Sequence, residues 1–170
     1  YAEKTTNNTN FALLVSEKFT EPFKEPIQYG QHIARLANML GGGILVQRFG
    51  DLLDGRRSTP ERIKSSIIKP TLTCATPGDL SLVIPYRQMT SIIEMLQALD
   101  KICPGTASRY TLLYGIEVKF YSARVKLTNE LETEGVKNLF AIGDGAGVTR
   151  GLIQASASGV HVARTICARG

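Results

Sequence analysis

The chain has 170 residues, 43% of them hydrophobic and 21% charged, and its 20 basic and 15 acidic side chains leave a net charge of +5. These are the proportions of an ordinary globular protein, large enough for one medium domain or two small ones that bury about two-thirds of the unfolded surface. No apolar run approaches the ~18 residues that cross a bilayer, no signal-peptide pattern opens the chain, and no internal repeat or low-complexity tract is present.

Cys74, Cys103 and Cys167 form an odd set without a C-x-x-C pair. That argues against a disulfide framework, a zinc site and a dithiol redox centre. With only His32 and His161 beside them, no metal site is expected, and the compartment reads as cytoplasmic. Basic residues occur at most in pairs such as Arg56-Arg57, with acids among them. The charge therefore reads as a solvated surface with mild attraction for anionic ligands, and neither nucleic acid nor membrane is expected as a partner. The chain begins with Tyr1 rather than Met, as a fragment or processed chain would.

In chain order, residues 1–10 are a polar lead-in, and Phe11 to Val15 reads as a short strand. Pro26 suits the first turn of a helix that runs to about Leu40. Ile27, Ile33, Leu36, Ala37 and Leu40 mark its apolar face, and Gly41-Gly42-Gly43 stops it. Ile44 to Leu53 has the spacing of a second helix, although its first residues fit a strand equally well, and Gly55 ends it. Ser58-Thr59-Pro60-Glu61 reads as a cap with proline at the first helical position, which predicts a helix over 60–67. Residues 69–85 are loop-like, with a short strand at Leu80 to Ile84. Pro85 opens the clearest helix, where Met89, Ile92, Ile93, Met95, Leu96 and Leu99 recur until Pro104-Gly105. Tyr110 to Tyr121 reads as one bent strand or two, broken at Gly115. Arg124 to Leu127 reads as a further strand, and Asn129 to Lys137 as a charged turn region.

Leu139 to Ile142 is an apolar run that ends at Gly143-Asp144-Gly145, and a small-residue amphipathic segment follows. This is the pattern of a buried parallel strand that breaks into a glycine turn and re-enters as a helix. Gly143, Gly145 and Gly147 would let backbone approach a flat ligand. Asp144, at the carboxyl end of the strand, is placed to accept hydrogen bonds from sugar or sugar-alcohol hydroxyls and is ill suited to face a pyrophosphate. The N–H groups around Arg150, Gly151, Leu152 and Ile153 would face an electron-rich ligand edge at the helix N-terminus. The bland readings are an ordinary strand–turn–helix connection, and for Asp144 a helix cap. His161 reads as a surface or packing residue, and Glu117 and Lys119 as a solvated strand face.

Thr133, a five-residue spacer and Leu139-Phe140-Ala141-Ile142-Gly143-Asp144 together resemble the second FAD fingerprint of the two-dinucleotide-binding-domain flavoproteins. The longer text YGIEVKFYSARVKL, ELET and NLFAIGDGAGVTRGLIQASASGVHVAR is similar to one branch, the bacterial FAD-dependent dehydrogenases. The match covers about residues 110–168. It implies that Asp144 bonds the ribityl chain of FAD. It also implies that the backbone of Gly151 to Ile153 lies near the pyrimidine end of the flavin. Arg150 would then either neutralise a reduced flavin or an anionic substrate, or simply face solvent.

The fold expected is α/β (α+β): a helix-rich cap or substrate domain over 1–109, then the C-terminal segment of an incomplete Rossmann-like FAD-binding domain over 110–170. Family members open with a G-x-G-x-x-G segment that this sequence lacks, so it reads as the C-terminal piece of a longer flavoprotein. Such a piece would meet the missing N-terminal FAD-binding segment and a small-molecule substrate, with NAD(P)H as electron donor and FAD held only in the complete protein. No catalytic side chain is assigned. Two rival readings are a non-catalytic flavin-binding or regulatory protein and an interaction module that binds no flavin as the isolated chain.

Overall fold

A computed structural model describes residues 7–120 and 124–169. Helix α1 spans Pro26–Gly41. Its proline sits where the missing N–H would have had no helical partner. It ends as Gly42 turns left-handed at φ +66° and donates its N–H to the Asn38 carbonyl at 2.7 Å. Strand β1, Leu45–Arg48, then runs directly into helix α2, Phe49–Leu53, so both readings of the ILVQRFGDLL stretch are realised in turn. Helix α3, Pro60–Ser65, is two residues shorter than expected, with the Thr59 hydroxyl accepting from Arg62 N–H at 3.3 Å. Helix α4, Tyr86–Asp100, buries Met89 and Leu96.

β1 is the middle of a three-stranded sheet. Strand β2, Thr76–Pro77, pairs parallel to it and strand β3, Leu112–Gly115, pairs antiparallel, in the order β2-β1-β3. Val46 faces Pro77 on one side and Tyr114 on the other. Pro77 is tolerated because β2 is an edge, and Gly78 N–H continues the ladder to the Val46 carbonyl at 3.0 Å. Leu45, Val46 and Gln47 are at most 1% exposed, so β1 is covered on both faces. Around it pack Ala37, Phe49, Leu52, Leu80, Val83, Met89 and Leu96.

Several strand expectations fail. Phe11 to Val15 forms no strand; Phe11 and Leu14 are 58% and 60% exposed, and an uncovered run without a partner strand gains nothing from extension. Leu80–Leu82 is a 3-10 turn instead of a strand. The Asp79 carboxylate accepts from Ser81 N–H at 2.9 Å and from its hydroxyl at 2.7 Å, and that local capping outcompetes the β-propensity of the run. Strand β2 lies within the 69–85 stretch, whose prolines and glycine read as loop. The Tyr110–Tyr121 strand is confined to β3, and Tyr121 lies outside the described residues.

The described residues form a mixed α+β structure whose two compact units divide between Val118 and Lys119. The second unit holds helix α5, Leu152–Arg169, and a 3-10 turn at Asp144–Ala146. Arg124 to Leu127 is not a strand; Leu127 makes one isolated antiparallel bridge to Thr133. Nor is Leu139 to Ile142 a buried parallel strand: Leu139 is 51% and Ile142 46% exposed, and Phe140 bridges antiparallel to Glu132. A parallel strand needs strands on both sides to take its N–H and C=O groups. Among the described residues of this unit, only the Leu131–Thr133 arm offers them. No helix among the described residues is long and apolar enough to cross a membrane.

Candidate functional site

The glycine turn is held from both ends. Upstream, Thr133 N–H donates to the Leu139 carbonyl at 2.8 Å and Ala141 N–H to the Leu131 carbonyl at 3.1 Å. The Thr133 hydroxyl closes the intervening loop on the Val136 carbonyl at 2.8 Å. Downstream, Gly143 N–H donates to the buried Ser158 hydroxyl at 3.0 Å, and that hydroxyl donates to the Ala155 carbonyl at 2.7 Å. Gly143 and Gly147 adopt φ +71° and +69°, values that glycine reaches without steric cost. Between them Asp144, Gly145 and Ala146 form the 3-10 turn, with Ala146 packed inward and open space where a Gly145 Cβ would stand.

Asp144 accepts a hydrogen bond from the Thr149 hydroxyl at 2.6 Å, which ties the turn to the approach of α5. The first helical bond beyond it is Ala155 N–H to the Gly151 carbonyl at 2.8 Å. The amides of Leu152, Ile153 and Gln154 thus belong to the open first turn, where N–H groups lack helical acceptors and the helix dipole is positive. The Leu152 and Ile153 side chains are 89% and 83% exposed. Gly143, Asp144, Gly145 and Gly147 therefore share one turn, and Ser158 and Thr149 join that turn to the segment carrying Arg150, Gly151, Leu152 and Ile153.

The far end of α5 anchors the same unit. Arg169 pairs with Glu130 and, at 2.6 Å, with Glu132, and it lies over the Phe140 ring at 5.2 Å. The Arg169 hydrogen bond, helped by Asn138 N–H, holds the Glu132 carboxyl below its ordinary range. His161 Nε2 stands 3.1 Å from the Asn129 carbonyl, which can only accept, so the ring donates from Nε2 in a packing role.

The first unit holds a constellation whose members are spread along the sequence from Arg48 to Arg109. Arg48, Arg56, Arg62 and Arg109 gather around two aspartates, correcting the picture of scattered, solvated charge. Asp51 is fully buried; Arg56 Nε reaches it at 3.0 Å, Arg48 Nε at 3.2 Å, Arg62 at 3.8 Å, and the Ser58 hydroxyl donates at 2.8 Å. Arg48 Nε is in charge contact but off the line of a hydrogen bond. Asp54, a third exposed, takes Arg56 at 3.1 Å and Arg109 at 2.5 Å. The Arg109 hydrogen bond is the main reason its carboxyl titrates below the ordinary range. Gln47 braces the same region, donating to the Arg56 carbonyl at 2.9 Å and accepting from Leu80 N–H at 2.8 Å. The available signal was Arg48, Asp51 and Asp54 at three-residue spacing; Arg109 comes from far along the chain and gives no local cue.

An open groove of about 460 Å³, lined by Phe19, Phe23, Tyr29 and His32 among others, also lies in the first unit and includes none of the glycine-turn residues. Among the described residues no group of three or more His, Cys, Asp or Glu side chains could hold a metal ion.

Taken by class, this is an α+β chain with a glycine turn feeding a helix and a separate arginine–aspartate cluster. No protein family model matches it. It is 32% identical over 177 aligned residues to a protein of Clostridium beijerinckii described only as uncharacterized. The alignment takes in 98% of this chain and 32% of that relative, so the chain spans about a third of the relative's length.

Proposed function

We propose that this chain is the C-terminal part of a cytoplasmic FAD-dependent oxidoreductase, in which residues 110–170 complete a Rossmann-like FAD-binding domain begun by an N-terminal segment. The observation that carries the proposal is the turn itself. Two glycines at positive φ, Gly143 and Gly147, bracket the Asp144–Ala146 turn, and the chain then enters a helix whose first amides are open and whose first two side chains, Leu152 and Ile153, are uncovered. The open space at Gly145 suits the close approach of a flat ligand. The half-exposed Leu139 and Ile142 offer apolar surface that sheet strands of the N-terminal segment would cover. Three exposed, unbridged cysteines fit a reducing compartment.

In this reading the flavin, when bound, supplies hydride transfer at its N5, with NAD(P)H as donor and a small molecule as acceptor. The chain's own residues place and polarise. Asp144 would accept a hydrogen bond from a ribityl hydroxyl beside, or in place of, the one from the Thr149 hydroxyl. The Leu152 and Ile153 amides lower the energy of negative charge developing on the nearby ring edge.

The test is a longer protein that supplies the preceding segment, purified and assayed for flavin, then mixed anaerobically with NADH and NADPH. Bound flavin that bleaches with one of them, and that is lost in Asp144→Ala, is the expected result. A protein that is colourless and takes up no added FAD would sink the proposal. A yellow one that neither nicotinamide reduces would leave flavin binding standing and remove the electron donor.

A further inference from the structure

The arginine cluster of the first unit carries more positive charge than its internal partners consume. Arg48, Arg56, Arg62 and Arg109 face only Asp51 and Asp54 within the cluster. Arg57 and Glu61, next along the loop, carry opposite charges and offset each other. Two positive charges remain over. They are carried outward, because the side chains of Arg56, Arg62 and Arg109 are 46%, 37% and 55% exposed, whereas Arg48 at 14% lies beneath them.

The guanidiniums are also oriented. Arg56 and Arg62 approach the same oxygen of Asp51, and Arg56 and Arg109 the same oxygen of Asp54, so Arg56 is central and the other two flank it. Backbone carbonyls fix the flanks: Arg62 Nη1 donates to the Arg57 carbonyl at 3.0 Å and Arg109 Nη2 to the Gly50 carbonyl at 3.4 Å. These contacts use one side of each fork. Arg56 Nη1, Arg62 Nη2 and Arg109 Nη1 have no acceptor among the described residues. A fully buried aspartate thus holds the Arg56 and Arg62 forks, and the Gly50 carbonyl with Asp54 holds Arg109, so the ordering is already done before any ligand arrives.

We propose that Arg56, Arg62 and Arg109 form a binding site for a dianionic phosphoryl group. Three planar forks suit an anion with several acceptor oxygens better than a single carboxylate, and two spare positive charges match its charge. Asp51 is the strut that aims Arg56 and Arg62, while the Gly50 carbonyl and Asp54 hold Arg109. Asp54, partly exposed, is the internal anion that a phosphate competes with. The site lies wholly in the first unit and does not depend on the flavin reading; either can fail without the other.

The experiment is calorimetric titration of the full chain with inorganic phosphate and with pyrophosphate, against sodium chloride at matched ionic strength. Saturable binding of one phosphoryl ligand per chain is expected. Arg109→Gln, which leaves the Asp51 cage intact, should weaken it about tenfold, the loss expected for one charge-assisted hydrogen bond. Asp54→Asn should strengthen it several-fold by releasing Arg56 and Arg109. That rise is a sign that a purely structural cluster would not give. If Arg109→Gln fails to fold by circular dichroism, Arg109→Lys keeps the charge, loses the fork and should weaken binding in the same direction. Heat no different from chloride overturns the proposal, as does phosphate binding that neither variant changes, or binding that Asp54→Asn weakens.

Discussion

Replacing Asp51 with asparagine removes one charge from the best-covered ionic group among the described residues. The side chain is 0% exposed, and its partners are graded in exposure: Arg48 at 14%, Arg62 at 37%, Arg56 at 46%. The outer two can turn into water when the carboxylate is lost, and pairs of that kind are worth about 0–1 kcal/mol each. Arg48 cannot, and a charge left without its buried partner costs about 3–5 kcal/mol. The Ser58 hydroxyl, itself 1% exposed, also loses a charged acceptor at 2.8 Å. The expected destabilisation of the first unit is therefore about 3 kcal/mol, toward the lower end of that range because the outer arginines relax. Urea unfolding read through hydrogen exchange of the β1 amides keeps the measurement within that unit. At a slope of about 1–3 kcal/mol per molar urea, the midpoint should fall by about one to three molar. Asp54→Asn, whose carboxylate is a third exposed, should move it far less. A shift for Asp51→Asn below about 1 kcal/mol, with unchanged slope, would place the whole cluster among solvated surface pairs and refute the reasoning.

Other outcomes follow from single contacts. Gly50→Ala would place a Cβ 2.9 Å from the Arg109 carbonyl oxygen and 2.8 Å from Arg109 Cβ, in a segment that also donates Gly50 N–H to that carbonyl, so a loss of about 1–3 kcal/mol in chemical unfolding is expected; a neutral effect would mean that the backbone yields there. Glu132 titrates below its ordinary value in the folded unit, so the stability that it lends is complete above the unfolded carboxyl range and is lost as pH falls through the lowered folded value. Carbon-detected titration of Glu132 in Arg169→Gln should show that value rising, and an unmoved titration would assign the effect to Asn138 N–H alone. Gly143→Ala, forced to φ +71°, should destabilise the second unit by about 1 kcal/mol or more and weaken amide protection at the start of α5; unchanged protection would show that the turn tolerates a side chain.

What the sequence disclosed tracks the range of the interactions involved. Proline at the first turn of α1 and α3, the Thr59 cap, the left-handed Gly42 and the apolar period of α4 are decided within a few residues, and those elements are found where they were expected. β1 was legible only as an ambiguity, because its identity as a strand depends on Thr76–Pro77 and Leu112–Gly115, which are remote in the chain. The arginine cluster failed for the same reason: Arg109 meets Asp54 across 55 residues of sequence, so a count of adjacent charges reports dispersion where the fold produces concentration.

Leu139 to Ile142 is the opposite case. Its local text is that of a buried strand, yet the described residues of its unit supply neither the flanking strands nor the cover that such a strand requires. Local pattern and tertiary environment conflict there, and natural sequences resolve such conflicts in the state that they evolved to occupy. The same unit leaves Leu152 and Ile153 bare beside an ordered glycine turn with an aspartate at its centre. An apolar run without its sheet and a helix start without its cover lie at the two ends of one turn. A single added body, a nucleotide-binding segment together with its flavin, would satisfy both. The flavin proposal therefore predicts protection of Leu139–Ile142 and of Leu152–Ile153 together when that segment is supplied, whereas an unrelated docking partner would have no reason to cover both.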